Sequence, residues 1–177
     1  MTKERKRCYN RIGDKMKKKP YLIACFFFFV DFFSKLVISH KLVLGQSKKI
    51  INKFFYLTYV KNKGAAWSIL EDQRILLLII TVISLFLINK YMNKEKINKM
   101  EEFIYGLIIG GILGNLFDRV IYSSVIDFLD FRIFSYNYPI FNFADTFIVV
   151  GIILLIIVNI RKEHYERIKR EQRKHTH

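Results

Sequence analysis

Four long apolar runs punctuate the chain, and lysine-rich segments flank most of them. Tyr21 to Ile38 is apolar apart from Asp31, Ser34 and Lys35. Ile75 to Ile88 is interrupted only by Thr81 and Ser84 and continues through Tyr91 and Met92. Phe103 to Phe117 and Phe141 to Ile160 complete the set. Apolar runs of about 18 residues are long enough to cross a bilayer core as helices. The predicted spans are residues 21–38, 75–92, 103–119 and 142–160. Between them the period changes. Phe54 to Val60 is rich in aromatic and β-branched residues and predicts a strand. Val125 to Phe134 predicts another, with Asp127, Leu129, Phe131 and Ile133 on one face. Asn62-Lys63-Gly64 reads as a turn into Ala65-Ala66-Trp67-Ser68, and Tyr136-Asn137-Tyr138-Pro139 as a second turn. The expected fold is an all-α membrane protein: four transmembrane helices with a small extracytoplasmic β element.

Charge refines this picture. Lys and Arg number 30, the formal net charge is +15, and hydrophobic residues make up 52%. A nucleic-acid binder would interleave its basic residues with a folded surface. Here they lie mostly between and beyond the apolar runs, so no nucleic-acid partner is expected. Residues 1–19 form a basic leader, 20–160 the membrane domain and 161–177 a basic tail. Leader, tail and the loop between the second and third runs hold 20 Lys and Arg, against 7 in the other two loops. The positive-inside rule then puts both termini in the cytoplasm. The lysines of the first loop are the exception to that bias.

Other chemistries are poorly served. Cys8 and Cys25 lie in the leader and in an apolar run, which does not make a disulfide framework. Leu22-Ile23-Ala24-Cys25 looks like a lipoprotein cleavage box, but Lys-Lys-Lys-Pro precedes it where an apolar stretch is required. No His/Cys cluster has metal-ligand spacing, and no phosphate loop is present. Neither metal nor cofactor is expected.

The acids carry the remaining information. Gly106, Gly110, Gly114 and Asp118 recur every four residues, a stripe on which another helix can pack closely. The stripe ends in Asn115, Asp118 and Arg119, Asp127 follows, and Asn142 and Asp145 open the fourth run. Asp31 and Lys35, four apart, share a helix face. In the predicted topology Asp118, Asp127 and Asp145 converge near the outer membrane surface. Ionisable groups at such a place read as functional. Two close carboxylates share a proton, so one can act as general base on a water while the other acts as general acid. That favours an aspartic protease. A proton- or ion-coupled carrier and a structural protein whose acids pair with Arg119 and Lys35 are the alternatives.

The chain resembles the bacterial lipoprotein signal peptidases (signal peptidase II), integral aspartic endopeptidases of the inner membrane. The resemblance rests on five blocks in family order: Asp31-x-x-Ser34-Lys35; Asn62-x-Gly64-Ala65-Ala66; Gly110-Gly111-x-x-Gly114-Asn115-x-x-Asp118-Arg119; Val125-x-Asp127-Phe128; and Phe141-Asn142-x-Ala144-Asp145 with Ile148 and Gly151. It implies a catalytic pair, Asp127 and Asp145. Asp31, Lys35, Asn62, Gly64, Asn115, Asp118, Arg119, Asn142 and Ala144 would bind substrate or support the site. It further implies a prolipoprotein substrate carrying a diacylglyceryl group and cut before the lipidated cysteine. Membrane lipid is a partner, globomycin-type cyclic peptides are expected inhibitors, and a monomer is expected. Trp67 stands where the family usually has Phe, and the basic leader is longer than is typical.

Overall fold

A computed structural model describes residues 18–64, 70, 72–133 and 136–175. Most of the basic leader and the Ala65 to Ser68 segment lie outside the described residues. Four helices, α1 (Lys19–Lys41), α2 (Arg74–Lys94), α3 (Lys99–Tyr122) and α4 (Phe143–His175), are each long and apolar enough to cross a membrane. Strands β1 (Ser47–Ile51) and β2 (Phe55–Asn62) lie between α1 and α2, and β3 (Val125–Ile133) and β4 (Tyr136–Asn137) between α3 and α4.

Helix α3 is the hub. In its most apolar window 61% of residues are buried, against 22% for α1 and 11% for α2 and α4. The glycine stripe explains the difference. Gly106 faces Ile23 and the Pro20 carbonyl, Gly110 faces Ala24 and Phe27, and Gly114 faces Asp31 and Ala144. Gly111 turns to the other side, against the Ala144 carbonyl and Ile148. Without a Cβ on α3, the backbones of α1 and α4 approach it closely. Gly114→Ala would drive a methyl into the Asp31 carboxylate. Overpacking of this kind costs about 1–3 kcal/mol, so the variant should unfold at a lower temperature in detergent; an unchanged midpoint would refute the packing argument.

Local signals set the ends of α3. The Asn98 side chain accepts from Met100 N and Glu101 N, and Glu101 accepts from Asn98 N at 2.7 Å, a complete capping box. At the other end Ser123 takes the left-handed conformation, φ 59°. Arg74, the first residue of α2, donates to the Arg119 and Val120 carbonyls, both at 2.9 Å. A cation at a helix C-terminus satisfies carbonyls that have no intrahelical partner.

Helix α1 is apolar outside and polar inside. Phe26, Phe29 and Phe33 are exposed, whereas Ala24, Asp31, Lys35 and Ile38 are buried. Acid and lysine therefore face the bundle, as an ionisable group in a span must.

The strands form one antiparallel sheet in the order β1-β2-β3-β4. Sequence pattern did not reveal β1, and the turn expected at Tyr136 to Pro139 begins as a strand, with Tyr136 and Asn137 paired to Ile133 and Arg132. The alternation expected along β3 is also absent, because Val125 to Asp130 are buried throughout. Ile126, Phe128 and Leu129 join Ile38, Leu42 and Tyr59 in a core that ties the sheet to the end of α1. Phe141 pairs with Leu129, its carbonyl accepting from Leu129 N at 2.7 Å. That pairing delivers the first turn of α4 to the middle of β3.

Candidate active site

Two carboxylates on different elements meet through one amide. Asp127 lies on β3, fixed by the Val60–Asp127 and Asn62–Val125 pairings with β2. Asp145 lies in the first turn of α4. Asn142, just before that helix, is completely buried. Its Nδ2 donates to Asp127 Oδ1 at 2.6 Å, and its backbone N–H donates to Asp145 Oδ2 at 3.2 Å. Its Oδ1 accepts from Asp145 N at 2.9 Å, closing a capping arrangement at the helix start. The second oxygen of each acid is also held. Asn62 Nδ2 donates to Asp127 Oδ2 at 2.9 Å, and Asn115 Nδ2 donates to Asp145 Oδ1 at 2.7 Å.

The two acids differ in setting. Asp127 is buried and Asp145 only half-buried, so Asp145 is the more open member. Burial, reinforced by the negative charge of Asp145, pushes the Asp127 carboxyl up to about 7 despite the hydrogen bonds from Asn62 and Asn142. Asp130, three residues further along β3, behaves in the opposite way. Burial raises it, but hydrogen bonds from Arg132 and Thr58 outweigh burial and leave it below the usual carboxylate range. Because the folded chain holds the Asp127 proton more tightly than an unfolded chain, this group lowers stability as pH rises from about 4 through about 7.

Behind the pair sits a second cluster centred on Lys35. Its Nζ contacts Asp31 Oδ2 at 2.7 Å, Asp118 Oδ2 at 3.0 Å and Asn115 Oδ1 at 3.0 Å. Lys35, Asp31 and Asp118 are all buried. Each acid also binds a backbone N–H beside the front pair. Asp31 Oδ1 accepts from Ala144 N at 2.8 Å, one residue from Asp145. Asp118 Oδ2 accepts from Ile126 N at 3.1 Å, one residue from Asp127. The cluster is therefore a rear brace for both carboxylates.

The candidate site residues Asp31, Lys35, Asn62, Gly64, Asn115, Asp118, Arg119, Asp127, Asn142, Ala144 and Asp145 all fall within this assembly. Gly64 donates its N–H to Asn62 Oδ1 and offers its carbonyl to Arg119 at 3.3 Å. Arg119 also reaches the Asn115 carbonyl at 3.5 Å and lies within electrostatic range of Asp145 and Asp127. Asp118 forms its ion pair with Lys35 rather than with the adjacent Arg119, because the two side chains leave α3 in different directions. Ala144 contributes a backbone N–H and a small side chain that fits against Gly114. Arg74, which helps fix the α3 terminus, was not anticipated, and Phe141 stood in a motif without its part in fixing the α4 entry being foreseen. Arg74 gave one usable signal, a lone cation at the edge of an apolar run. Among the described residues, no group of His, Cys, Asp and Glu is arranged to hold a metal ion.

Four apolar helices, with two paired acids and a buried lysine cluster at one end of the bundle, define a multi-pass membrane protein with a polar centre. The chain belongs to the family described as Signal peptidase (SPase) II, which matches residues 23–161. It is a peptidase, and its family removes signal peptides from lipoproteins. Two solved structures are similar to it. One is a bacterial membrane enzyme determined by the in meso method at 2.3 Å resolution, 36% identical, with TM-score 0.76 over 81% of this chain and 88% of that one. Another, a bacterial membrane enzyme determined by the same method at 1.9 Å, is 37% identical, with TM-score 0.72 over 78% of this chain and 90% of that one.

Proposed function

We propose that the chain is an aspartic endopeptidase in which Asp127 and Asp145 act as one catalytic unit. The observation that carries this reading is the Asn142 bridge between two carboxylates, and burial beside Asp145 pushes Asp127 up to about 7. At neutral pH the pair holds one proton, and the two acids titrate together. The ionised member takes a proton from a water whose oxygen attacks the scissile carbonyl carbon. The protonated member donates to the carbonyl oxygen. Collapse of the resulting gem-diol breaks the C–N bond, and the amine leaves with a proton from the pair. Arg119, within electrostatic range of both acids, limits the cost of the charge that remains.

The substrate is a prolipoprotein with a diacylglyceryl group on its cysteine, cut on the N-terminal side of that residue. The acyl chains anchor the peptide at the membrane level of the acids, and binding energy from these non-reacting parts positions the scissile bond. An apolar groove of about 480 Å³ between α1 and α3, lined by Phe28, Leu113, Phe117 and Val120, offers hydrocarbon a place beside the bundle. The chain sits in the bacterial inner membrane as a monomer with both termini cytoplasmic and the acids near the outer face. The leader and tail flank a catalytic domain over residues 20–160. Globomycin-type cyclic peptides would compete at the same site.

Mass spectrometry of a lipidated precursor incubated with the purified chain tests this directly. One cut immediately before the modified cysteine is expected, and cleavage elsewhere or of unmodified precursor at equal rate would overturn the substrate assignment. The pH profile of kcat/KM should fall on its alkaline side with an apparent midpoint near 7, as the last shared proton is lost. A profile flat from pH 6 to about 9 would remove the shared proton from the mechanism.

A further inference from the structure

We infer that the segment from Lys41 to Phe54, including edge strand β1, is a docking surface for the anionic lipid headgroups of the leaflet in which the sheet end of the bundle lies. This rests on the membrane location of the chain and not on its peptidase chemistry. Three observations lead to it.

The segment has one sign of charge. From Lys41 to Lys63 the sequence contains six Lys and no Asp or Glu. Lys63 pairs with Asp72. Among the described residues, Lys41, Lys48, Lys49 and Lys53 are exposed and have no acidic partner. Next, the same segment exposes large apolar side chains. Val43 is 75% exposed, Leu44 57%, Ile51 51% and Ile50 48%. All five residues of β1 are exposed, and among the described residues its outer edge has no strand beside it. Finally, position is fixed by the chain. Helix α1 ends at Lys41, and Val43 and Leu44 follow within about 10 Å of contour length. Gly45, at φ 82°, then turns the chain into the sheet, its N–H donating to the Tyr59 carbonyl at 2.8 Å.

An apolar patch ringed by lysine is poorly placed in water. It suits the boundary between acyl chains and headgroups, where Val, Leu and Ile side chains enter the apolar layer and lysine stems reach up to phosphates. Near an anionic surface each lysine contributes roughly a fivefold gain in partition, and the attraction fades within a Debye length, about 10 Å at 0.1 M salt. The surrounding charges agree. Asp130, in the cross-strand row of Lys49 and Tyr56, is already held by Thr58 and Arg132 and is not a free carboxylate beside the patch.

The test uses the full chain, carrying Cys8→Ser, Cys25→Ser and Ile51→Cys with a fluorophore on the new thiol, in vesicles of phosphatidylcholine with or without phosphatidylglycerol. Brominated phosphatidylglycerol should quench the probe several-fold more than brominated phosphatidylcholine at equal mole fraction. The preference should vanish in K41Q/K48Q/K49Q/K53Q and, without any lysine substitution, at high salt. Equal quenching by both lipids, or a preference that survives both treatments, would overturn the proposal. So would no quenching at all, the result for lysines that merely guard a sheet edge. Probe–probe proximity between copies, unresponsive to lipid charge, would assign the surface to self-association and refute it too.

Discussion

Replacing Asp127 or Asp145 by asparagine is expected to abolish processing while leaving a folded protein in the membrane. Loss of a general acid or base costs about 10²–10⁴-fold, and losing either member of a pair that shares one proton removes both functions. The geometry adds a detail. Asp127 accepts on one oxygen from Asn142 and on the other from Asn62, and an asparagine can accept on only one. One contact in Asp127→Asn therefore becomes donor against donor, a cost of about 1–3 kcal/mol. Asp145→Asn meets the same conflict between Asn115 and the Asn142 N–H. Thermal unfolding should accordingly show modest destabilisation, and cleavage of a lipidated precursor should be undetectable at temperatures where both variants are folded. Full cleavage by either variant would remove that residue from the mechanism.

The second large effect belongs to Lys35→Met, which touches neither Asp127 nor Asp145. It leaves Asp31 and Asp118 buried without their cation, and breaking a buried ion pair by removing one partner costs about 3–5 kcal/mol. Because Asp31 binds the Ala144 N–H and Asp118 the Ile126 N–H, activity should fall as well, through misplacement of Asp145 and Asp127. Asp118→Asn keeps an acceptor for Ile126 and should be milder, lowering stability with measurable turnover. Reversible unfolding in mixed micelles reads the first effect. A Lys35→Met stability within about 0.5 kcal/mol of the unsubstituted chain would show that the rear brace is dispensable. If Asp118→Asn abolished activity at full stability while Asp127→Asn did not, the pair would have been misassigned.

Much of this was legible because membrane spans obey strong rules. A run such as Ile75 to Ile88 has few alternatives to a helix, and an acid in a span, such as Asp31, is conspicuous. The glycine stripe likewise marked a helix on which another could pack closely, and α1 and α4 both approach α3 there. The sheet was harder. Strand β1, Ser-Lys-Lys-Ile-Ile, carries no alternation because all of it is exposed, and β3 hides its period because it is covered over Val125 to Asp130. Period-2 patterns appear only where one face is wet. The pattern of acids alone did not divide them into a front pair and a rear brace; only the family resemblance singled out Asp127 and Asp145. The division depends on which side chain turns toward Lys35 and which toward Asn142, a matter of helix rotation and strand register that spacing alone leaves open.

The most direct test is infrared difference spectroscopy of the carboxyl stretch during a pH titration of the purified chain. The account predicts a protonated carboxyl that persists to about pH 7 and disappears in Asp127→Asn. In Asp145→Asn the same band should titrate at lower pH, since the neighbouring negative charge is gone. A band unaffected by either substitution, or no protonated carboxyl above about pH 5, would contradict the shared proton on which the proposed chemistry depends.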